Sequence, residues 1–166
     1  MKKNIAYTLL ALALIITTAT SCRKDREIGG TSVEAMSGDW WVQIDGEGSY
    51  YTYYTYNTSA NSKTEMILDD QEGFWGSASL GRVAGKVNVD LNTLTFSCKD
   101  APNLNKDYDD ASFTVTDGKI LKNAATAPGT GIKTDSIDFK IEFADDPGTV
   151  YHLKGYKRTR FTEDDH

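Results

Sequence analysis

The chain has 166 residues, a formal net charge of −6 at pH 7 and two cysteines. An acidic balance argues against nucleic-acid binding, which needs a basic surface, and against broad contact with anionic lipid headgroups. The length suits one domain with a sizeable hydrophobic core.

Residues 1–21 have the pattern of a bacterial signal peptide. Lys2 and Lys3 form a basic start, and the 12 residues 5–16 form an apolar run. This run is too short for a membrane-spanning helix, which needs about 20 apolar residues. Small polar residues then lead directly to Cys22, the position of a lipidated cysteine in bacterial lipoproteins. The alternative is an ordinary cleaved signal with an incidental cysteine.

Cleavage before Cys22 would leave 145 residues with a formal charge of −8. Residues 22–37 are predicted to be the lipidated cysteine and a tether, because they are charged, then rich in Gly and Ser, and have no periodicity. Lys24, Asp25 and Glu27 resemble the export signals of surface lipoproteins in Bacteroides-type bacteria. We therefore expect an outer-membrane lipoprotein that faces the periplasm or the cell surface, with the alternative that the tether is only a solvated spacer.

Residues 38–161 alternate apolar and polar side chains almost throughout, which is typical of half-buried β-strands. The predicted strands cover residues 40–45, 50–56, 66–68, 73–80, 87–91, 94–98, 113–115, 120–121, 137–143 and 149–159. About eight to ten short sequential strands without a competing helix predict an all-β fold, a sandwich or a barrel. The barrel is favoured because closure removes the edge strands.

The segments between these strands are predicted to be turns and loops. Asp117-Gly118 is a tight-turn dipeptide, residues 99–110 and 123–131 are predicted loops, and residues 162–166 are predicted to be a frayed acidic tail. The acid pairs are expected to be solvated turn residues; they are Asp69-Asp70, Asp109-Asp110 and Asp145-Asp146.

Cys98 has no cysteine partner once Cys22 is acylated, so no intrachain disulfide is expected. It alternates with Leu94 and Phe96, which predicts a small side chain in the core.

Gly38-Asp39-Trp40 in the first strand and Arg158 at the end of the last resemble the lipocalin arrangement. In that family a first-strand Trp at the closed end of the barrel is covered by a late Arg. The resemblance implies that Trp40 and Arg158 form a structural pair at the barrel floor through a cation–π contact. The alternative is that Trp40 is ordinary core and the arginines are solvated.

The wider pattern is a lipobox, a tether, a Gly-x-Trp-Trp-Val strand, short strands and a closing stretch, residues 155–161. It resembles small lipocalin-like lipoproteins of Bacteroides-type bacteria, a family described as lipid-binding and as hydrolases. The resemblance covers the whole mature chain. It implies a calycin-type β-barrel that binds a lipid or another small apolar or amphipathic ligand, but it supplies no motif-defined catalytic residues.

Aromatic residues are the candidate ligand-binding set, because a barrel of about eight strands can hold one small ligand. Tyr and Trp would give such a pocket an apolar body with polar tips. The predicted ligand-binding residues are Trp41, Tyr51, Tyr53, Trp75 and Phe96. The alternative is a filled barrel that acts as a surface glycan-binding or protein-interaction module, with an exposed tyrosine face as a stacking platform.

Catalytic and metal patterns are weak. His152 could join a Ser-His-Asp set, but residues 76–81 do not form a Gly-x-Ser-x-Gly motif. Asn103, Asn105 and the acids at 107–110 could ligate calcium, but their spacing is not that of an EF-hand. We therefore expect a binding protein without cofactor or metal, and an enzyme only if His152 or an acid pair lies in a cleft.

Overall fold

The protein is an antiparallel β-barrel. The computed structural model describes residues 30–71, 74–75, 82–106 and 112–166. The strands are β1 (Gly38–Ile44), β2 (Glu47–Asn57), β3 (Glu65–Asp69), β4 (Ala84–Asp90), β5 (Thr95–Ala101), β6 (Phe113–Thr126), β7 (Lys133–Phe143) and β8 (Tyr151–Lys157). Each strand pairs with the next, and β8 pairs with β1, so the sheet closes. The predicted all-β barrel is confirmed.

Two short 3-10 helices flank the barrel, Glu34–Met36 before β1 and Thr162–Asp164 after β8. Among the described residues, no helix has the length and apolar character needed to cross a membrane. The predicted signal peptide, Cys22 and the first part of the tether lie outside the described residues, as does most of the strand predicted at 73–80.

The period-two pattern places one face of every strand in the barrel interior. In β1, Trp40 and Val42 face inward, opposite Tyr53 and Tyr51 of β2. Cys98 is also buried in this core, as its alternation predicts. The inward residues of all eight strands form one continuous hydrophobic cluster, which accounts for the closed sheet.

The predicted turn at Asp117-Gly118 is wrong. Both residues lie inside β6, and the pairing register with β5 and with β7 shifts there, which marks a β-bulge. Because β6 has hydrogen-bonded neighbours on both edges, the strand continues through a dipeptide that would turn an isolated chain. The predicted loop at 123–131 is shorter for a related reason, since β6 continues to Thr126, which pairs with Lys133.

One end of the barrel, the closed end, is plugged by the 3-10 helix Glu34–Met36. Val33 and Met36 are fully buried beneath the strands, so the tether predicted for residues 22–37 is wrong at its C-terminal end, where the chain already packs against the barrel. Trp40 Nε1 donates a hydrogen bond to Thr55 Oγ1 (2.8 Å), and this hydroxyl donates to the backbone oxygen of Met36 (2.6 Å). Every polar group of this chain of hydrogen bonds therefore has a partner inside the core.

The prediction of a frayed C-terminal tail is wrong, because residues 162–166 are held against the barrel. Asp164 is buried, and its Oδ1 accepts hydrogen bonds from the backbone N–H groups of Gly129 and Thr130. Its Oδ2 accepts from the hydroxyls of Thr159 and Thr130. Burial by itself would raise the pKa of Asp164, but these hydrogen bonds outweigh it and lower the pKa to about 2. The segment is thus fixed to the loop between β6 and β7.

Candidate functional site

The predicted pairing of Trp40 with Arg158 is wrong by one residue. The Arg158 guanidinium lies 4.7 Å from the ring centroid of Trp41, and Lys157 Nζ lies 5.9 Å from that of Trp40. Side chains alternate between the two faces of β1, so Trp40 points into the barrel and Trp41 points out. The cation over the closed-end tryptophan is therefore a lysine, and Arg158 covers the outer wall.

Four of the five predicted ligand-binding residues face the interior. Tyr51, Tyr53, Trp75 and Phe96 all pack in or against the central core. Trp41 does not, because it belongs to a separate small cluster on the outer wall with Tyr156. The prediction for Trp41 is therefore corrected, and Tyr51 and Tyr53 cannot form an exposed stacking platform.

Aromatic side chains concentrate at the end of the barrel opposite the closed end, the loop end, where the β3–β4 and β7–β8 connections lie. We call this group the mouth cluster; it consists of Tyr51, Tyr53, Phe74, Trp75, Phe143 and Tyr151. The Trp75 ring stacks on Phe143, with centroids 4.2 Å apart and planes 4° apart. Phe74 meets Tyr51 edge-on at 5.1 Å and Tyr151 at 5.3 Å. Offset and edge-on contacts of this kind are the favourable geometries of aromatic rings.

Two carboxylates hold Trp75 in the mouth cluster. Asp70 accepts hydrogen bonds from the backbone N–H of Trp75 and from that of Val83, each 2.9 Å long. The Trp75 Nε1 donates to Asp145, at 3.0 and 3.1 Å from its two oxygens. Polar contacts from two different connections therefore position this ring over the mouth of the barrel.

The prediction that Asp69 and Asp70 are solvated turn residues is wrong. Asp69 is 0% exposed and Asp70 is 1% exposed. Asp69 accepts hydrogen bonds from the Tyr56 hydroxyl at 2.8 Å and from the Gln71 backbone N–H at 3.0 Å. The two carboxylates can be buried because folding supplies these donors.

The hydroxyl of Tyr53 is the unusual group of the mouth cluster. Tyr53 is 1% exposed, and its Oη makes no hydrogen bond within the part of the chain that the structure describes. Burial, and then the negative charges of Asp70 and Asp69, hold the pKa of Tyr53 well above its usual value. The group thus stays a neutral donor. An unpaired buried hydroxyl costs about 1–3 kcal/mol, so a ligand oxygen that accepted its hydrogen bond would recover that cost.

The predicted ligand-binding set did not include four residues that form or support the mouth cluster, which are Phe74, Phe143, Tyr151 and Asp70. The alternation of β7 indicates that Phe143 lies on the inner face, and Tyr151 shares a face with the buried Leu153 of β8. Their position at the strand ends nearest one loop was the signal that could have identified them. Phe74 and Asp70 depend on how a long connection folds back, which no local pattern indicates.

His152 lies on the outer wall, apart from the mouth cluster. Its Nε2 is 2.8 Å from Asp138 Oδ1, and its Nδ1 is 3.7 Å from Asp45 Oδ1. Within the described ranges, no Ser, Thr or Cys side chain hydrogen-bonds to this imidazole. Among the residues that the structure describes, the arrangement is therefore a carboxylate-flanked histidine without the adjacent nucleophile that a catalytic triad needs.

No cluster of three or more His, Cys, Asp or Glu side chains suited to a metal ion occurs among the described residues. The calcium alternative at 107–110 falls outside them. Cys98 donates weakly to the Phe113 carbonyl at 3.7 Å, and burial raises the pKa of its thiol to about 11. Such a protonated thiol is a poor nucleophile.

Comparison with protein families identifies the fold's relatives. Residues 25–162 match the model of a family described as "lipid-binding putative hydrolase". The match spans well over half of the chain, so the chain belongs to this family. No curated protein matches it. The family and the barrel together fit a lipid-binding role, as the resemblance predicted.

Proposed function

We propose that this member of the lipid-binding family is a membrane-anchored lipoprotein that holds one small amphipathic, lipid-like molecule in the mouth of its barrel. The apolar part of the ligand lies against the mouth cluster, and its polar end accepts a hydrogen bond from Tyr53. Binding comes from burial of aromatic and apolar surface rather than from charge.

The observation that carries this proposal is the buried hydroxyl of Tyr53, which has no hydrogen-bond partner in the part of the chain that the structure describes. Buried polar groups in proteins are nearly always hydrogen-bonded, and exceptions call for an explanation. Here the hydroxyl belongs to a ring that contacts Phe74 at 6.1 Å and Phe139 at 5.4 Å. A lipid carboxyl, ester or hydroxyl oxygen in this cluster would satisfy it while the chain of the lipid contacts the rings.

The rings of Phe74 and Trp75 occupy the place where the hydrocarbon chain of the lipid would lie. Both side chains are half-buried, and Trp75 is attached to the loop end through hydrogen bonds with Asp70 and Asp145. A ligand that displaced the Trp75 ring from Phe143 would replace one apolar contact by another, so the displacement costs little. The structure thus offers a binding surface that is covered by its own side chains.

The test is native mass spectrometry of the chain from Arg23, followed by organic extraction. This chain keeps the whole compact unit Thr31–His166. The wild type is expected to carry a lipid-sized species. Tyr53→Phe should weaken its retention about tenfold, because one hydrogen bond to the ligand is lost. Tyr54→Phe is the matched control, since Tyr54 is the next residue on the same strand and its side chain faces outward.

Equal retention by Tyr53→Phe and the wild type would contradict the assigned role of the hydroxyl. A wild type that carries no ligand from several expression hosts, and takes up none from fatty-acid or phospholipid mixtures, would contradict lipid binding at the mouth cluster as a whole.

We also propose that Cys22 carries the membrane anchor and that residues 23–30 tether the barrel, whose compact unit begins at Thr31, to the outer membrane, on its periplasmic or outer surface. The support is the sequence pattern alone: a basic start, a short apolar run and a cysteine after small residues. Several acyl chains on one cysteine make a stable anchor.

Labelling with radioactive palmitate tests the anchor. Cys22→Ser should lose the label and leave the membrane fraction. Cys98→Ala is the control, because the chain has only these two cysteines and Cys98 is buried. Protease treatment of intact cells then distinguishes the two surfaces of the outer membrane. Label retained in Cys22→Ser would contradict the proposed anchor site.

A filled barrel that binds a glycan or a protein partner is the second candidate. The observation that favours it is the stacking of Trp75 on Phe143, which fills the mouth without any ligand. This function predicts an unchanged ligand-free mass in every host and binding on the outer wall, where Tyr54 and Tyr56 are accessible. A glycan array with wild type and Tyr56→Ala separates it from the lipid-binding proposal.

A further inference from the structure

The connections at the two ends of the barrel differ in charge. Adjacent strands are antiparallel, so the β1–β2, β3–β4, β5–β6 and β7–β8 connections all lie at the loop end. By sequence these four connections contain eight acidic residues and two basic ones, a formal charge of −6. The β2–β3, β4–β5 and β6–β7 connections, at the closed end, contain one lysine and no acidic residue. The negative charge of the connections is therefore concentrated at the end of the barrel that holds the mouth cluster.

Three of these loop-end carboxylates contact members of the mouth cluster. Asp70 accepts a 2.9 Å hydrogen bond from the backbone N–H of Trp75, and Asp145 accepts one of 3.0 Å from its indole N–H. Asp146 accepts a 2.7 Å hydrogen bond from the hydroxyl of Tyr151. Carboxylates of the β3–β4 connection and of the β7–β8 connection therefore both approach the aromatic rings.

Asp70 lies beside Tyr53 at the end of the sheet ladder. It is one position beyond the register pair Tyr54–Asp69, and it is 1% exposed. Burial raises the pKa of Tyr53, and the charges of Asp70 and then Asp69 raise it further, because they oppose a second negative charge at the phenol oxygen. The same charges would oppose an anionic ligand oxygen that accepted a hydrogen bond from this hydroxyl.

The two basic residues of the loop-end connections are Arg82 and Lys106. Arg82 Nη1 lies 3.7 Å from Asp69, which offsets part of that charge, and Lys106 is exposed. The cation–π contacts found among the described residues are at Trp40 and Trp41, so none of them brings a lysine or an arginine onto the mouth cluster. The surroundings of the Tyr53 hydroxyl are thus suited to an oxygen without a negative charge.

We propose that the mouth cluster selects its lipid by charge, and that it prefers a polar end with an uncharged hydroxyl or ester oxygen over a carboxylate or a phosphate. Such an oxygen can accept the hydrogen bond of Tyr53 without bringing a negative charge close to Asp70. An ammonium group would suit the acidic surroundings, but it has no lone pair with which to accept that hydrogen bond. The inference rests on the proposed function and adds the chemical class of the ligand, with the loop-end carboxylates as the residues that determine specificity.

The test compares two ligands with the same hydrocarbon chain, decanol and decanoate, on the chain from Arg23 at neutral pH. The indole N–H signal of Trp75 in the NMR spectrum reports binding at the mouth cluster, and Trp75→Phe identifies this signal. Decanol is expected to bind at least about tenfold more tightly than decanoate, because only the anion is repelled by the carboxylates.

A double variant tests whether the loop-end carboxylates cause the difference. Asp145→Asn/Asp146→Asn removes two charges and keeps side-chain oxygens that can accept the same hydrogen bonds. The ratio of the dissociation constants of decanoate and decanol should fall at least about threefold in this variant. Glu34→Gln/Glu163→Gln is the matched control, because it removes two charges from exposed side chains at the closed end and should leave the ratio unchanged. High salt should also lower the wild-type ratio, since it screens the exposed charge of Asp145.

The outcomes separate this inference from the proposed function. Decanoate that binds as tightly as decanol, or more tightly, would overturn the selection by charge and leave the lipid site in place. A ratio that neither the loop-end double variant nor high salt changes would overturn the role of the carboxylates. If neither ligand binds to the wild type, the lipid site itself is contradicted, and the inference fails with it.

Discussion

Each end of the barrel contains a tryptophan that packs against the core, but the two ends are built differently. At the closed end, Trp40 is 1% exposed, and its N–H belongs to a hydrogen-bond chain that ends within the core. At the loop end, Trp75 is half-buried and is held by carboxylates in two connections, beside a Tyr53 hydroxyl without a partner among the described residues. The buried polar groups at the closed end are paired and contribute to stability, whereas the Tyr53 hydroxyl at the loop end is the group that the proposed ligand would pair with.

The largest expected effect on stability comes from a substitution at the closed end. Trp40→Ala should lower the free energy of unfolding by about 3–5 kcal/mol, because a large buried ring is lost and the floor cannot collapse around it. Trp75→Ala should cost only about 1–2 kcal/mol, since that ring is half-buried and its hydrogen bonds are at the surface. Urea denaturation of the two variants provides the measurement. Equal losses would mean that the loop end is as much a part of the stabilising core as the closed end.

The second prediction concerns the hydroxyl that joins the closed-end contacts. Thr55→Val keeps the shape of the side chain but leaves Trp40 Nε1 and the Met36 carbonyl without their partner. We expect a loss of about 1–3 kcal/mol in the free energy of unfolding, because both groups are buried. The control is Thr52→Val, which changes the same residue type on the outer face of the same strand and should leave stability nearly unchanged. If Thr55→Val leaves the free energy of unfolding unchanged, these polar groups find water or other partners.

The alternation of the sequence predicted an all-β fold, because period two fixes which residues share a face, and the removal of edge strands favoured a barrel over a sandwich. It did not show that Trp41 faces outward, and the pairing of Arg158 with Trp40, which the lipocalin resemblance implied, missed that the guanidinium lies over Trp41. The face that each tryptophan takes depends on the register with β2 and β8, and register is a tertiary property.

The other differences also arise from partners distant in sequence. Asp70 is buried because Val83, 13 residues later, supplies a donor. Asp164 is buried because Gly129 and Thr130 do so from 35 and 34 residues away. A local pattern of acids in a turn predicts solvation, and only the folded chain brings these donors to them.

The third prediction concerns the hydroxyl of Tyr53, which has no hydrogen-bond partner among the described residues. Tyr53→Phe should raise the free energy of unfolding of the ligand-free barrel by about 1 kcal/mol, because an unsatisfied buried group is removed. Thr55→Val, two residues away on the same face, should have the opposite sign. Urea denaturation of delipidated protein measures both. A destabilised Tyr53→Phe would mean that the hydroxyl has a partner in the folded chain, and the main support for the lipid site would be lost.

The smallest effect is expected in acid, because it becomes visible only below about pH 4. The folded pKa of Asp164 is lowered from 3.8 to about 2, so the folded state binds its proton less readily than the unfolded state does. The stability that this carboxylate contributes is therefore complete above pH 4 and is lost as the pH falls towards 2. The melting temperature of the wild type should fall more steeply across this interval than that of Asp164→Asn, which has no proton to bind at this position. Parallel curves would show that the charge of Asp164 does not fix the C-terminal segment to the β6–β7 loop.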